Sequence, residues 1–295
     1  MKKVTYFQPN AKDPVLEEKI ILEIVKKYDP TVDTVDFIDE TGGEARAYSV
    51  NNKIILKVQR PHRLRDKTSL EREVVFLNHL KKYPEITVPL IYGYGKVGEI
   101  EYTCMSKIPG KAIKYLEIPD KAREKILEEL GKTLFLIHNV DNEPLKKSGL
   151  FPIDTLSEMK ERLAYEFDWK LERVEGRTKE EITEAKKLAT SLLSKITNDN
   201  EFVVLHSNPA TTHTFVTEDF AFSGLIDFGD AYISHPVLDL KRWALEDRQH
   251  VIKGYFKISE GSQDFQQVLK VCNSLDKIIE ILKGQKVISN LQELL

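Results

Sequence analysis

The sequence predicts an α+β chain in two lobes, with an antiparallel sheet first and helices after it. Three observations carry that prediction. Between about residues 31 and 107, short β-branched and aromatic runs alternate with turn residues, and a single helical window interrupts them. After Pro109-Gly110, apolar residues recur at helical spacing over most of the remaining chain. A few short apolar runs then bracket a cluster of histidine, asparagine and aspartate near residues 202–230. Strands and helices segregated in this way make an α+β layout. The boundary falls in Ser106-Lys107-Ile108-Pro109-Gly110, where proline and glycine suit a hinge, giving lobes 1–107 and 108–295.

Asp13-Pro14 reads as an N-cap with proline at the first helical position. Ile20, Ile21, Ile24 and Val25 form a helical stripe that ends near Tyr28-Asp29-Pro30. Val32, Val35 and Phe37 lead to a turn at Thr41-Gly42-Gly43. Residues 47–50 and 54–58 are strands joined by Asn51-Asn52, a hairpin signature. Glu71, Glu73, Val74, Phe76, Leu77 and Leu80 lie in a helix-forming window, and strands resume at 88–92 and 100–105. The segment between those strands, Gly93-Tyr94-Gly95-Lys96-Val97-Gly98, matches G-x-G-x-x-G letter for letter. No helix follows it to receive a pyrophosphate, so it reads as a glycine-rich hairpin turn.

Past the boundary, Ile126, Leu127, Leu130, Leu134 and Ile137 mark a helix. Thr155-x-x-Glu158 and Thr178-x-x-Glu181 are capping boxes. The second opens a helix with Ile182, Ala185, Leu188, Ala189, Leu192 and Ile196 on one face. Short strands are expected at 202–205, 214–216 and 224–226, and helix again from about Phe265.

Charge is near balance, 44 basic against 47 acidic residues for a net −3, which argues against a nucleic-acid partner. The N-terminus has no apolar h-region and no run of 18 apolar residues occurs, so neither a signal peptide nor a membrane span is expected. Cys104 and Cys272 are far apart without metal spacing, and a reducing cytoplasm is the natural setting.

The chemistry-bearing stretch is His206-Ser207-Asn208 through His213, followed by Asp227-Phe228-Gly229. Its spacing is that of a kinase active site, H-x-D-x-x-x-x-N and then D-F-G. Asn208 stands at the catalytic aspartate position and His213 at the metal-binding asparagine position. Phosphoryl transfer also needs a lysine on the phosphates. Lys57 lies inside an apolar strand, where an ammonium must find an anion or reach solvent. Glu73, on the following helix, is its expected partner, with Glu71 the nearest rival. Asp227, at a strand end beside glycine, is placed to bind magnesium. His206 is expected to orient the loop, Asp230 to lie near the metal, and Asp239 to serve as an anchor. The loop Thr41-Gly42-Gly43-Glu44-Ala45-Arg46 precedes the Lys57 strand at hairpin distance and is the candidate to cover phosphates.

With these parts placed, the chain resembles the aminoglycoside phosphotransferase and choline kinase-like family, which has the protein-kinase fold. The resemblance runs from the Thr41 loop to Trp243 and is strongest over 204–208, 224–231 and Asp239-Leu240. Ser106-Lys107-Ile108-Pro109-Gly110 looks like the family's hinge with Met105 as gatekeeper, and Leu134-Phe135-Leu136-Ile137-His138 like its helix ending in Leu-His. The resemblance implies a small antiparallel-sheet N-lobe that binds nucleotide and a mainly helical C-lobe with the catalytic loop and acceptor site. It implies that Lys57 contacts the phosphates of ATP (or GTP) and pairs with Glu73. The backbone of Ser106, Lys107 and Ile108 holds the base, and Asp227 binds Mg2+, with His213 as second ligand. Asp230, Glu246 and Asp247 are candidates to face the acceptor, although Lys241, Arg242 and Arg248 dilute the acidic signal.

The implied function is an ATP-dependent O-phosphotransferase acting on a hydroxyl of a small, amine-bearing acceptor. Asparagine has nearly the shape of aspartate but cannot take a proton as a base. Three accounts of Asn208 stand open: a slow or differently equipped kinase, a silent nucleotide-binding module acting through a protein partner, and a chain altered to trap a complex.

Overall fold

A computed structural model describes residues 15–39, 43–60, 69–198, 201–257 and 261–284. The expected cap at Asp13-Pro14 and the turn residues Thr41 and Gly42 lie outside them. Two compact units divide the chain. The first takes residues up to Pro119, Glu143–Phe151 and Thr211–Ala231; the second takes Asp120–Asn142, Pro152–Ala210 and the rest from Tyr232.

In the first unit, helix α1 (Glu18–Val25) packs on a five-stranded antiparallel sheet. The strands are β1 (Val35–Asp39), β2 (Ala45–Val50), β3 (Ile54–Gln59), β4 (Ile91–Val97) and β5 (Ile100–Ser106), in the order β1-β2-β3-β5-β4. Ile21, Ile24 and Val25 are buried in one cluster with Tyr48, Leu56 and Cys104 of the sheet. The β2–β3 turn puts both Asn51 and Asn52 at positive φ, 47° and 50°. Asparagine tolerates this region, and a turn left-handed at both central residues matches strand twist. Pairing sets Ala47 opposite Lys57 and Lys57 opposite Thr103. Because cross-strand partners share a face and neighbours alternate, Ala47, Lys57 and Thr103 lie on the face away from Tyr48, Leu56 and Cys104. Helix α2 (Ser69–Leu80) follows the sheet's third strand.

The glycine-rich segment is not the joining turn. Strand β4 runs through it, and the turn is Gly98-Glu99, with Gly98 at φ 63°. A Cβ on Gly93 would sit 2.0 Å from the Tyr28 ring, and one on Gly95 2.9 Å from the Tyr102 hydroxyl. The two hydroxyls lie 3.1 Å apart. The glycines thus leave room for Tyr28, distant in sequence, and for Tyr102, the cross-strand partner of Gly95. The strand expected from residue 88 begins only at Ile91; Pro89 has no ladder donor, and the Leu90 amide donates to Ser106 Oγ.

A short sheet of β6 (Lys111–Ala112), β8 (Thr214–Val216) and β9 (Phe222–Leu225) completes this unit with α4 (Glu143–Ser148). The second unit holds α3 (Asp120–His138), α5 (Leu156–Leu171), α6 (Lys179–Ser194), α8 (Leu245–Phe256) and α9 (Gln263–Lys283), with a two-stranded ribbon of β7 (Val203–Leu205) and β10 (Tyr232–Ser234). Both capping boxes form: Thr155 and Thr178 accept from the amides of Glu158 and Glu181, whose carboxylates reach back to the cap amides. Helices α3 and α8 touch backbone to backbone. A Cβ on Gly131 would lie 2.0 Å from the Val251 carbonyl, and one on Gly254 1.9 Å from that of Glu128.

Residues 241–244 separate two helices. Helix α7 (Val237–Leu240) ends and α8 starts at Leu245. The buried Arg248 guanidinium takes the Lys241 and Trp243 carbonyls at 2.8 and 2.9 Å, supplying donors to a helix end. Cys104 and Cys272 are buried free thiols, each pushed up to about 12 by burial. Among the described residues no helix is long and apolar enough to cross a membrane.

A chain of charges ties α5, α8 and α9 together. It runs Lys241–Glu166 (2.5 Å), Glu166–Lys170 (2.8 Å), Lys170–Asp276 (2.7 Å) and Asp276–Arg248 (2.6 Å). Burial acts to raise the Glu166 pKa, but Lys241 and Lys170 outweigh it and pull it down to about 2. A carboxylate depressed on folding stabilises above its unfolded pKa and loses that contribution as pH falls. Glu166→Gln is therefore expected to cost about 3 kcal/mol at pH 7, since it strands the buried Lys241 ammonium. The deficit should shrink between pH 4.5 and about 2, where the parent loses the same charge. Urea melts of both proteins at pH 7 and pH 3 check this.

Candidate active site

Strand β3 carries Lys57 on the face away from α1, and α2 brings Glu73 beneath it. Lys57 Nζ donates to Glu73 Oε2 and to Asp227 Oδ1, each at 2.8 Å. The side chains are 17% (Lys57), 1% (Glu73) and 42% (Asp227) exposed, so one end of the group is sealed and the other meets solvent. Burial acts to lower the Lys57 pKa, but the Asp227 and Glu73 carboxylates outweigh it and hold it above the ordinary lysine value. Burial pushes the Glu73 carboxyl up, against the pull of Lys57 and of the Phe228 amide.

Asp227 has φ 70°, a left-handed backbone uncommon outside glycine and costing on the order of 1 kcal/mol. Its neighbours hold it there. The Phe228 amide donates to Glu73 Oε1 at 3.1 Å, and the Phe228 ring meets Phe76 edge to face at 5.4 Å. Arg72 donates to the Gly229 and Leu150 carbonyls. A Cβ on Gly229 would lie 2.8 Å from Ser69 Cβ, so glycine lets the start of α2 approach. On the far side, His213 Nε2 lies 3.4 Å from Asp227 Oδ2. Asp230 is on the exposed rim; lost solvation raises its pKa, as do Asp227 and Glu44, with Arg72 and Lys57 opposing.

The hinge residues are ordered by the sheet. Met105 is buried, the Ser106 amide donates to Leu90 and the Lys107 amide to Lys53, both at 2.8 Å. The Lys107 ammonium reaches Asn52 Oδ1 and lies over the Phe37 ring. The Ile108 amide has no acceptor among the described residues. Gly110 has φ 87°, and a Cβ there would lie 1.9 Å from the Val216 carbonyl, which pins the hinge turn to β8. Of the loop expected to cover phosphates, residues 43–46 are described: Ala45 and Arg46 already belong to β2, and a Cβ built on Gly43 meets no described atom within 4 Å.

The second unit holds the other motif residues. Buried Asp239 accepts the His206 amide on Oδ2 and the Ser207 amide on Oδ1, both at 2.8 Å. His138 Nε2 stands 3.0 Å from Asp239 Oδ2, and its Nδ1 3.0 Å from the Tyr255 hydroxyl. With Nε2–H donating to the carboxylate, Nδ1 is left to accept from Tyr255. Ser207 is held at φ 82°, and its carbonyl accepts from Arg242. The Asn208 amide donates to His206 Nδ1 at 3.2 Å, and the Asn208 carbonyl accepts from Ala210 at 2.8 Å. The anchoring by His138 and Tyr255 was not legible in sequence, since 101 residues separate His138 from Asp239. A histidine at the end of an apolar helical stripe was the available signal.

Asp239→Ala is expected to cost about 3 kcal/mol or more, because it leaves two amides and a buried imidazole without their acceptor. Hydrogen exchange at the His206 and Ser207 amides should quicken in that variant, while exchange in β3 stays as in the parent.

Glu246 is exposed on the first turn of α8. Asp247 faces Arg123 with both oxygens, Oδ1 at 2.8 Å from Nε and Oδ2 against the terminal nitrogen, and the guanidinium lies 6.0 Å from the Trp243 ring. The geometry thus joins Lys57, Glu73, Asp227 and His213 in the first unit, and His206 and Asn208 in the second. Among the described residues no three His, Cys, Asp or Glu side chains converge as a metal cluster.

Residues 39–256 match the family model described as the APH phosphotransferase enzyme family. The chain belongs to the APH phosphotransferase family. The GDP and kanamycin complex of APH(2")-IIia matches at TM-score 0.61 and 16% identity, covering 94% of this chain and 96% of that one. ADP-bound aminoglycoside phosphotransferase APH(2'')-Ib matches at 0.61 and 16%, covering 95% and 97%. Macrolide 2'-phosphotransferase MphH from Brachybacterium faecium, an apoenzyme, matches at 0.58 and 15%, covering 94% and 95%. At these identities the likeness is one of fold, and the APH fold is the kinase-like α+β fold. No curated protein sequence matches this chain.

Proposed function

We propose that this APH-family chain transfers the γ-phosphate of ATP or GTP to a hydroxyl of a small, amine-bearing acceptor. The observation that carries the reading is Lys57 bridging Glu73 and Asp227 at 2.8 Å each. An ammonium has three donors, so two carboxylates orient Lys57 and leave one hydrogen for a phosphate oxygen. The Ile108 amide, without an acceptor among the described residues, suits a nucleobase, with Met105 behind it and Ser106 and Lys107 fixed by the sheet. The nucleotide is assigned to the lobe of residues 1–107 with the Ile108 amide and Asp227, and the acceptor to the remainder of 108–295. A cytoplasmic location, where nucleotide is abundant and thiols stay reduced, goes with this reading.

The residues fit a magnesium ion. Mg2+ usually takes one or two carboxylates and completes its shell with water and substrate phosphates. Asp227 offers a solvent-facing carboxylate of that kind, with His213 beside it. When bound, the ion would neutralise charge on the phosphates. Asn208 would orient the acceptor hydroxyl through its amide oxygen, and His206 would hold the loop. For a cationic acceptor, Glu246 and Asp230 are the better candidates, because Asp247 is already neutralised by Arg123.

Asn208 itself favours a second reading, a nucleotide-binding module without turnover that acts through a protein partner. Calorimetric titration with ATP and GTP, and transfer assays on kanamycin, gentamicin, streptomycin, a macrolide and simple amino alcohols, separate the two. Transfer to any acceptor supports the enzyme. Nucleotide binding with no transfer, in the parent and in Asn208→Asp, sinks the enzyme and leaves the silent module. No nucleotide binding sinks both.

A further inference from the structure

We infer that the acceptor carries a carboxylate beside its amine, a hydroxylated amino acid held by the guanidinium groups of Arg162 and Arg242. The inference rests on the phosphotransferase reading above and narrows its acceptor. All the residues concerned belong to the second unit. Both arginines are pinned at Nε and open at their far ends. Arg162 Nε donates to Asp154 Oδ1 and Oδ2 at 3.0 and 2.9 Å, and its guanidinium lies 4.6 Å from the centre of the Tyr232 ring. Arg242 Nε donates at 2.9 Å to the carbonyl of Ser207, the residue before Asn208. A guanidinium has five N–H donors, so four on each arginine keep no acceptor among the described residues. Tyr232 links the pair. It stands opposite Leu205 in the ribbon that leads into the catalytic loop. Burial and then Asp239 raise the pKa of its hydroxyl, with Asp154 adding and Arg162 and Arg242 opposing, so both guanidiniums act on one phenol. The carboxylates nearby are already taken: Asp154 by Arg162, Asp239 by two amides and His138, and Glu158 by its cap residue Thr155.

The charge count selects a carboxylate. Buried Asp154 offsets one of the two guanidinium charges, leaving one for a single anion. A phosphate group, largely doubly charged at neutral pH, exceeds that. The planar fork of arginine also matches a carboxylate with two parallel bonds. Arg162 borders a cavity of about 310 Å³ that Glu158, Glu161 and Tyr165 also line. Glu161 takes the Ser157 hydroxyl on Oε1 at 3.0 Å and keeps Oε2 for an ammonium. A guanidinium and a carboxylate on one cavity are the complement of a zwitterion. The transfer step is that of the proposed reaction. The acceptor oxygen bonds the γ-phosphorus, the bond to the β–γ bridging oxygen breaks, the nucleoside diphosphate leaves with that electron pair, and the hydroxyl proton passes to water.

The test is kcat/KM for phosphoryl transfer on pairs that differ only by the carboxylate: L-serine and ethanolamine, L-homoserine and 3-amino-1-propanol, 5-hydroxy-L-norvaline and 4-amino-1-butanol. Kanamycin is assayed beside them, and Asn208→Asp beside the parent. Expected is a preference of about 10–100-fold for the amino acid in the pair of fitting length, the worth of a hydrogen-bonded charge pair, and its loss in Arg162→Gln. Transfer to the amino alcohols or kanamycin as fast as to the amino acids, or faster, overturns the inference and leaves the phosphotransferase standing. A preference that survives in both Arg162→Gln and Arg242→Gln overturns the assignment of the carboxylate to these arginines. No transfer to any acceptor, by the parent or by Asn208→Asp, overturns the proposed function and the inference with it. The preference is read without either arginine variant, so it decides the matter even where one of them does not fold.

Discussion

Asn208→Asp is expected to raise kcat for phosphoryl transfer by about 10²–10⁴-fold, the usual contribution of a positioned general base. The nucleotide KM should barely move, because the substitution adds an interaction used only as the acceptor hydroxyl loses its proton. The backbone is prepared for the change. The residue-208 amide already donates to His206 Nδ1 and its carbonyl already accepts from Ala210, and neither bond involves the side chain. Behind them, Asp239 fixes the amides of His206 and Ser207. A carboxylate is nearly isosteric with the amide it replaces, so the loop has no reason to move. Single-turnover rates at saturating nucleotide, measured from pH 6 to 9, are the check. The variant should gain most above the pKa of the new carboxylate. An unchanged rate across that range would mean that proton removal at position 208 does not limit transfer, and the shortfall assigned to Asn208 would have to be sought elsewhere.

What could be read from the sequence was what local chemistry encodes. The capping boxes at Thr155 and Thr178, the Asn51-Asn52 turn and the apolar stripe of α3 each depend on residues within a few positions of one another. Motif spacing extended that reach to Glu73 as the partner of Lys57 and to Asp227 as a further group of the same site; the direct bond between Lys57 and Asp227, 170 residues apart, came only with the structure. Contacts outside any motif stayed hidden. Gly93 and Gly95 looked like turn residues, yet they are small because Tyr28 and Tyr102 lie across them. Gly131, inside a helical window, and Gly254, outside any the sequence announced, sat unremarked, although each admits the other helix's backbone. The break between α7 and α8 depends on where Arg248 points, and nothing in residues 240–247 announces it. In each case tertiary packing decided the use of a residue whose local preference allowed several.

Lys57→Met should lower phosphoryl transfer by about 10²–10³-fold, the loss typical when one donor to a developing charge is removed. The same substitution should cost about 3–5 kcal/mol of stability, as it strips the cation from wholly buried Glu73. The two effects have different pH signatures. Without Lys57, the Glu73 carboxyl, already pushed up by burial, rises further and takes a proton. A carboxyl whose pKa is raised on folding contributes stability below its unfolded pKa and loses it as pH rises through the folded value. Lys57→Met should therefore melt closer to the parent at pH 5 than at pH 8. Adding Glu73→Gln removes the stranded carboxylate, so the double variant should recover most of the stability at pH 8. It should recover none of the turnover, because the phosphates would still lack their ammonium. Recovery of both would reduce Lys57 to a counterion for Glu73. Parent-level transfer in the single variant would remove Lys57 from the chemistry and, with it, the observation on which the phosphotransferase reading stands.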